Sequence, residues 1–474
     1  MIDLAFIEEI SNEVLKRINP RENERKKVQA LVEKLTKDLR KIINNKGIEA
    51  KISVEGSVAK NTWLRDCPEI DLFLQVPVTL PKEAFGTVIL DIAKKITEGY
   101  KQIERFAEHP YLEAIIDDIY VNVVPCYDVK SGEWISATDR TPFHTDYVNK
   151  HLDEKQENEV RLLKRFMKGV GVYGAEIKVG GFSGYLCELL VLKYGAFVEV
   201  LRSAGNWEER PIIDIEGYYE KKENTKKIFE EKIIVIDPVD KGRNVAAAVR
   251  KERLDEFVAA SRAFLKNPDI KFFYPNEIEA LNVEELVKSI KIRGSSMIFI
   301  AFKGMEPVPD ILWGQLYKSH RALQKMIENN DFKILNSNIW SDQIKVHMFV
   351  FELENRFLPN IKYHLGPPLQ KIQECEKFLL KYLVSDSVVS GPRLENGRWV
   401  VDLKREFIDV VDLLKEKLLK NKNGIGLAEI VSKAVDSLEL FVNEEVLSYY
   451  SKYPEFASFL TGYIKGRPIW LSNK

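Results

Sequence analysis

Four cysteines in 474 residues, no two of them at Cys-x-x-Cys spacing, leave this chain without the pattern of a structural zinc site or a disulfide framework. Cys67, Cys126, Cys187 and Cys375 are expected to be free, mostly buried thiols in a reducing compartment. Neither sign of charge is in excess: 71 Lys and Arg stand against 72 Asp and Glu, for a net charge of −1. Bulk charge therefore gives no pull towards nucleic acid, which would have to be met by local patches. No apolar run has the length of a bilayer-spanning helix. The chain opens Met1-Ile2-Asp3 and passes straight into an amphipathic pattern rather than a signal peptide, so a soluble, cytoplasmic protein without membrane contact is expected. A Gly-x-Ser-x-Gly elbow and a paired Cys/His motif are both missing, which argues against a covalent nucleophile. Internal repeats, low-complexity segments and long linkers are missing too. The length suggests roughly three domains.

What the chain does have is a dense stretch between Val54 and Val76. Val54-Glu55-Gly56-Ser57-Val58-Ala59-Lys60-Asn61-Thr62-Trp63-Leu64-Arg65 leads through a turn containing Pro68 into Glu69-Ile70-Asp71-Leu72-Phe73-Leu74-Gln75-Val76. Ala50 to Val54 and Ile70 to Val76 predict strands, with Gly56-Ser57 between the first strand and the start of a helix. Residues two apart on a strand share a face, so Glu69 and Asp71 point the same way, roughly 7 Å apart by strand rise. Two acids held together repel, and a divalent cation relieves them; hard oxygen ligands suit Mg²⁺. Amides of the Gly-Ser turn beside them can hold phosphate. Gly-Ser-x-x-Lys-x-Thr-x-Leu followed by Glu-Ile-Asp resembles the signature of the polymerase-beta-like nucleotidyltransferase superfamily. That resemblance implies that the Gly56 amide and Ser57 bind triphosphate and that the paired acids carry metal.

Around this stretch the pattern alternates between helix and strand. Phe6, Ile7, Ile10 and Val14 predict a first helix, stopped by Pro20; Val28, Leu31, Leu35, Leu39 and Ile42 predict a second, running to Asn45 with Gly47 as its C-cap. A helix over 84–100, a strand over 103–108 and a β-rich run from Ile115 to Tyr127 follow. Next come a helix over 156–168, an apolar helix from the N-cap Ser183 to Val200, and a strand over 233–236. Beyond Asn267, a strand at 297–302, a helix at 312–327 and strands at 332–335 and 346–351 give the order β-α-β-β. Small open-faced sheets of that order serve in RNA-binding modules and equally as plain structural units. After Gly366-Pro367-Pro368 helices are expected at 374–383, 404–419 and 427–448, with Asn396-Gly397 as a tight turn between short strands.

Three further blocks narrow the resemblance: Asp139-Arg140-Thr141-Pro142-Phe143-His144; the run from Glu157 to Leu190, containing Glu-Asn-Glu-Val-Arg-Leu-Leu-Lys and Gly-Gly-Phe-Ser-Gly-Tyr-Leu-Cys-Glu-Leu-Leu; and Asp237-Pro238-Val239-Asp240 with Arg243-Asn244-Val245-Ala246-Ala247. With Glu108-His109-Pro110-Tyr111, they are similar to the archaeal-type, class I CCA-adding enzymes, the CCA tRNA nucleotidyltransferases. The likeness is specific over most of the first 250 residues and rests on element order beyond them. It implies an α+β, multidomain fold. A catalytic head with a mixed β-sheet flanked by helices would span 1–140 and a helical neck 141–262. An α/β body would span 263–293 and 369–474, and a small RRM- or ferredoxin-like tail 294–368. It also implies template-independent addition of C, C and A to the 3′ end of tRNA from CTP and ATP. Glu69 and Asp71 would hold Mg²⁺, and Ser57 and Lys60 the triphosphate, Lys60 standing where family members can carry Arg. His144, Lys164 and Tyr173 would complete the nucleotide site. Arg243 would reach the base edge with help from a tRNA phosphate, choosing C or A over G and U. Body and tail would clamp the acceptor and TΨC stems, and a homodimer is the oligomer the family suggests.

One position departs from the pattern. The superfamily sets a third carboxylate beside the first two, and its place here, just before Val123-Val124-Pro125-Cys126-Tyr127, holds Asn122. Asp118 shares that strand face but stands about 13 Å along it. An amide brings one neutral oxygen where the family has a full charge, so metal affinity and activation of the attacking hydroxyl should both fall. Three explanations stand open: a variant inactivated to trap substrates, a divergent enzyme working with two acids, or a protein of the same fold that binds tRNA without catalysis. A poly(A)-polymerase-like enzyme is the other enzymatic alternative.

Overall fold

The computed structural model describes residues 4–106, 109–304, 308–420 and 424–471. The opening Met1-Ile2-Asp3, the end of the strand expected over 103–108, and Glu108 of the Glu-His-Pro-Tyr block lie outside them. The chain divides into two units, one of residues 1–277 with 308–311 and 467–474, the other of 278–307 and 312–466.

The first unit begins with α1 (Leu4–Ile18) and α2 (Glu22–Lys46), the latter closed by Gly47 at φ +65°, a left-handed cap that suits glycine. Then come β1 (Lys51–Glu55), the single turn α3 (Gly56–Ala59), β2 (Glu69–Val76), α4 (Leu90–Ile96), β3 (Lys101–Phe106), β4 (Pro110–Ile116) and β5 (Ile119–Tyr127). The strands form a mixed sheet in the order β1-β2-β5-β4-β3, with β2 and β5 parallel and the other neighbours antiparallel. Alternation sorts its faces. Ile70, Leu72, Leu74, Leu112, Ala114, Val121 and Val123 pack with Val28, Leu35 and Leu39 of α2 and Ile92 of α4. The polar residues between them are thereby turned to the opposite face. The helix expected over 84–100 is regular only over 90–96; before it stand a 3₁₀ turn and a π turn, where Gly86, Thr87 and Val88 are weak helix formers.

The rest of this unit is mainly helical: α5 (Thr141–His151), α6 (Glu154–Val170), α7 (Gly184–Tyr194), α8 (Phe197–Gly205), α9 (Lys222–Ile228) and α10 (Lys251–Lys266). Strands β6 (Ile212–Ile213), β7 (Ile234–Asp237) and β8 (Asp240–Asn244) make a small sheet in that order. The helix expected from Ser183 to Val200 is two helices, divided at Gly195 (φ +90°). Ile7, Ile10 and Val14 of α1 join the core of α6, α7, α8 and α10 rather than the core under the five-stranded sheet.

The second unit contains α11 (Val283–Arg293), β9 (Ser296–Lys303), α12 (Pro309–Asn329) from Leu312 on, β10 (Ile334–Ser341), β11 (Val346–Leu353) and β12 (Ile361–Pro368). It continues with α13 (Ile372–Tyr382), β13 (Val388–Glu395), β14 (Arg398–Lys404), α14 (Val410–Lys415), α15 (Glu429–Ala434), β15 (Glu439–Val442), α16 (Leu447–Lys452) and α17 (Pro454–Lys465). The β-α-β-β order is present as β9-α12-β10-β11, but two strands redraw the expected 294–368 tail. β15, inside the run expected to be one helix over 427–448, completes the sheet β10-β11-β9-β15. β12 leaves it for a separate sheet, β12-β14-β13, flanked by α13. Gly366-Pro367-Pro368 is therefore the end of an edge strand, where prolines without an N–H are tolerated. The helix expected from 404 begins only at Val410, capped by Asp409, because β14 still occupies Lys404. Asn396 and Gly397, at φ +47° and +73°, make the expected tight turn. Among the described residues, no helix is long and apolar enough to cross a membrane.

Candidate active site

On the polar face of the five-stranded sheet, strand register sets four residues in a row. Glu55 of β1 pairs with Asp71 of β2, Asp71 with Asn122 of β5, and Asn122 with Glu113 of β4. Glu69 stands one pleat away from Asp71 on the same face. The amide of Asn122 gathers the two acids: Nδ2 donates to Glu69 Oε1 at 2.7 Å and to Asp71 Oδ1 at 2.9 Å. Its Oδ1 is buried with no partner. Burial, and next the charge of Glu69, push Asp71 up to about 7. Among the described residues no three His, Cys, Asp or Glu side chains form a metal-holding group; Glu69, Asp71 and Asn122 meet as two acids and an amide. A cavity of about 290 Å³ adjoins the row, lined by Asp71, Phe73, His109, Tyr111, Asn122 and Thr141 among others.

Gly56 is required twice over. Its φ is +70°, and a Cβ placed on it would stand 1.9 Å from Asp71 Oδ2. Only a bare backbone lets α3 start against that carboxylate. Ser57 is half-buried in its single turn.

Lys60, expected at the triphosphate, is buried, and its ammonium meets Glu188 Oε2 at 2.5 Å. Glu188, fully buried on α7, also takes Lys164 Nζ at 3.0 Å and Thr62 Oγ1 at 2.6 Å on Oε1. Thr62 Oγ1 in turn accepts from Lys164 at 2.9 Å. Burial pushes the Glu188 carboxyl up, but the two ammonium groups outweigh it and hold it down at about 2. Tyr173 is half-buried nearby: a Cβ on Gly184 would lie 3.1 Å from its hydroxyl and 3.5 Å from Lys164 Nζ. Behind the Gly-Ser turn, buried Arg161 of α6 donates to the carbonyls of Asn61 and Trp63, fixing the loop that carries Thr62.

His144 and Arg243 meet on a third buried carboxylate. Asp237 Oδ2 accepts from His144 Nε2 at 2.9 Å and from Arg243 Nη1 at 2.6 Å. The His144 ring stacks on Tyr185 at 4.1 Å, and Lys60 Nζ lies 5.5 Å over the other partner of that stack. Burial pushes His144 below its ordinary value, more than Asp237 raises it.

The fold thus brings the sequence candidates together in one unit, as two acids with Asn122, two lysines on Glu188, and a histidine and an arginine on Asp237. Glu188, Thr62, Asp237 and Arg161 were not among the candidates. The signal for Glu188 was a lone carboxylate in the apolar run Tyr185-Leu186-Cys187-Glu188-Leu189-Leu190, a position tolerated only if the charge is paired.

Comparison with known proteins identifies the family. Residues 32–144 match the family model of the nucleotidyltransferase domain. Residues 158–274 match the second domain of tRNA nucleotidyltransferase, and 293–439 the C-terminal domain of CCA-adding enzyme. The CCA-adding enzyme of Methanosarcina barkeri is 36% identical over 435 residues, covering 91% of this chain and 94% of the relative. That of Methanosarcina acetivorans is 34% identical over 466 residues, covering 98% and 99%. That of Methanothermobacter thermautotrophicus is 38% identical over 411 residues, covering 86% and 87%. With three successive regions matched and relatives aligned over nearly their full length, the chain belongs to the family of CCA-adding enzymes.

Proposed function

We propose that this chain adds C, C and A to the 3′ end of tRNA without a template, consuming CTP and ATP and releasing pyrophosphate. The observation that carries the reading is the convergence of Glu69 and Asp71 on Asn122, in the same unit as Lys60 and Lys164. The donor set suits a hard divalent cation, and Mg²⁺ is the ion we assign: the carboxylates of Glu69 and Asp71 would hold it, and the Asn122 amide, which turns Nδ2 towards them, would have to rotate to offer its Oδ1 as a neutral oxygen donor. When bound, such an ion neutralises charge on the reacting phosphate oxygens. The Gly56 and Ser57 backbone, the Ser57 hydroxyl and the two lysines receive the triphosphate, and the lysines stabilise pyrophosphate as it leaves. Tyr173 and His144 bound the nucleotide, and Arg243 reads its base. Residues 278–466 are assigned to the acceptor and TΨC stems, met by shape and phosphate contact. A homodimer and a cytoplasmic location complete the reading.

The test is incubation of tRNA lacking its 3′ CCA with labelled nucleotide. With CTP alone the chain should add two residues and stop; ATP should then add one. A poly(A)-polymerase-like enzyme would instead run on with ATP. Asn122 specifically favours a second reading, a non-catalytic tRNA-binding protein of this fold. Tight tRNA binding with no incorporation in saturating Mg²⁺ or Mn²⁺ would select it.

A further inference from the structure

We infer that Asp237 is the positioning residue that sets the base selectivity of the site, by fixing the donor edge of Arg243. The inference rests on the function proposed above and deepens it.

Arg243 stands on β8 with its side chain 37% exposed, and alone it would sample many rotamers. Asp237 removes that freedom. It ends β7 with none of its side chain exposed, and four donors fill it, two from the β7–β8 hairpin itself and two from α5 and α7. On Oδ2 are His144 Nε2 from α5 at 2.9 Å and Arg243 Nη1 from β8 at 2.6 Å. On Oδ1 are the Tyr185 hydroxyl from α7 at 3.2 Å and the Val239 amide at 3.1 Å. The stack of His144 on Tyr185 locks two of those donors to each other. The bond to Arg243 joins two charges, the strong and short kind. Nη1 is the one Arg243 atom that makes a hydrogen bond among the described residues. Because the guanidinium is a rigid planar fork, holding Nη1 also fixes the direction of the remaining N–H groups.

Direction is what selectivity needs. Arginine donates and never accepts. Cytosine N3 and adenine N1 are acceptors, whereas uracil N3 and guanine N1 carry hydrogens. A fixed donor meets the first pair favourably and the second donor to donor. A free arginine would swing into solvent and tolerate all four.

The experiment measures binding of CTP and UTP to the chain in complex with tRNA lacking its 3′ CCA, with Ca²⁺ replacing Mg²⁺ so that nucleotide is not consumed. Incorporation rates in Mg²⁺ are measured alongside. Asp237→Asn should shrink the preference for CTP over UTP by about tenfold or more, the worth of one hydrogen bond to a charged group. Arg243→Ala should do the same, and the double variant should be no worse than Arg243→Ala. If Asp237→Asn fails to fold, Arg243→Lys replaces it. A single ammonium cannot span carboxylate and base, so that variant should discriminate as poorly as Arg243→Ala. Equal binding of CTP and UTP by the unaltered chain overturns the inference, as does wild-type preference in Asp237→Asn or in Arg243→Lys. A chain that incorporates nothing yet binds CTP over UTP, and loses that preference in Asp237→Asn, refutes the proposed function and leaves Asp237 in its role.

Discussion

One nitrogen atom decides the state of the acidic pair. Nδ2 of Asn122 bridges Glu69 and Asp71, doing with two hydrogen bonds what a cation would do with charge. The arrangement spares the pair from repulsion when no ion is bound, and it offers the ion one charge fewer when it arrives. Asn122→Asp should reverse both effects. Incorporation of CTP into tRNA lacking CCA should rise at least about 100-fold, the order expected of one charge-stabilising group at a reaction centre. In chelator the same variant should melt at a lower temperature than the unaltered chain, since three adjacent carboxylates replace two bridged ones. Unchanged rates in Mg²⁺ would sink the charge argument. Glu69 and Asp71 were legible because period two puts them on one face of one strand, and Asn122 only because the family resemblance marks its place before Val123-Val124-Pro125. The bridge was not, because which acids an amide reaches depends on the register of β2 against β5, which no local pattern states. Gly56 was legible as a turn residue, yet its closeness to Asp71 Oδ2 comes only from the pairing of β1 with β2.

Among elements, α3, α6 and α7 are tied by the carboxylate of Glu188, which collects Lys60, Lys164 and Thr62. Glu188→Gln would leave two buried ammonium groups without a counter-charge, and a cost of about 3–5 kcal/mol is expected at neutral pH. The sign of the pH dependence follows from the depressed carboxyl. Glu188 ionises at about 2 when folded against an ordinary value of 4.5, so its stabilisation is complete above 4.5 and fades as pH falls from there to about 2. Denaturant midpoints of the two chains should therefore stay apart from neutral pH down to about 4.5 and converge below it. A constant gap down to pH 2 would mean that Glu188 is not the charge holding the lysines. Sequence made the long striped helices plain, α2 and α12 above all, since many turns repeat the same face. It did not make β15 plain: Glu439-Leu440-Phe441-Val442 is too short to show a period and sits between helical stretches, and only the open edge of β9 makes it a strand.

For the whole molecule, a net charge of −1 means that affinity for a polyanion cannot come from the average surface, so the two units are expected to divide the substrates between them. Every residue assigned to the nucleotide, from Gly56 to Arg243, falls in the first unit, and the second has hydrophobic cores of its own around β9, β11 and α12. A ligand that binds only native structure stabilises what it touches, by about 2.7 kcal/mol at one hundred times its dissociation constant. Hydrogen exchange should show this division directly. CTP with Mg²⁺ should slow exchange in β2, β5, α7 and β8 and leave β9 and β11 unchanged. Adding tRNA that lacks its 3′ CCA should extend protection into residues 278–466, slowing amides there that CTP alone does not affect. Protection of β9 and β11 by CTP alone would place nucleotide contacts outside the first unit. Exchange across 278–466 that tRNA leaves untouched would remove the second unit from tRNA binding and confine both substrates to the first.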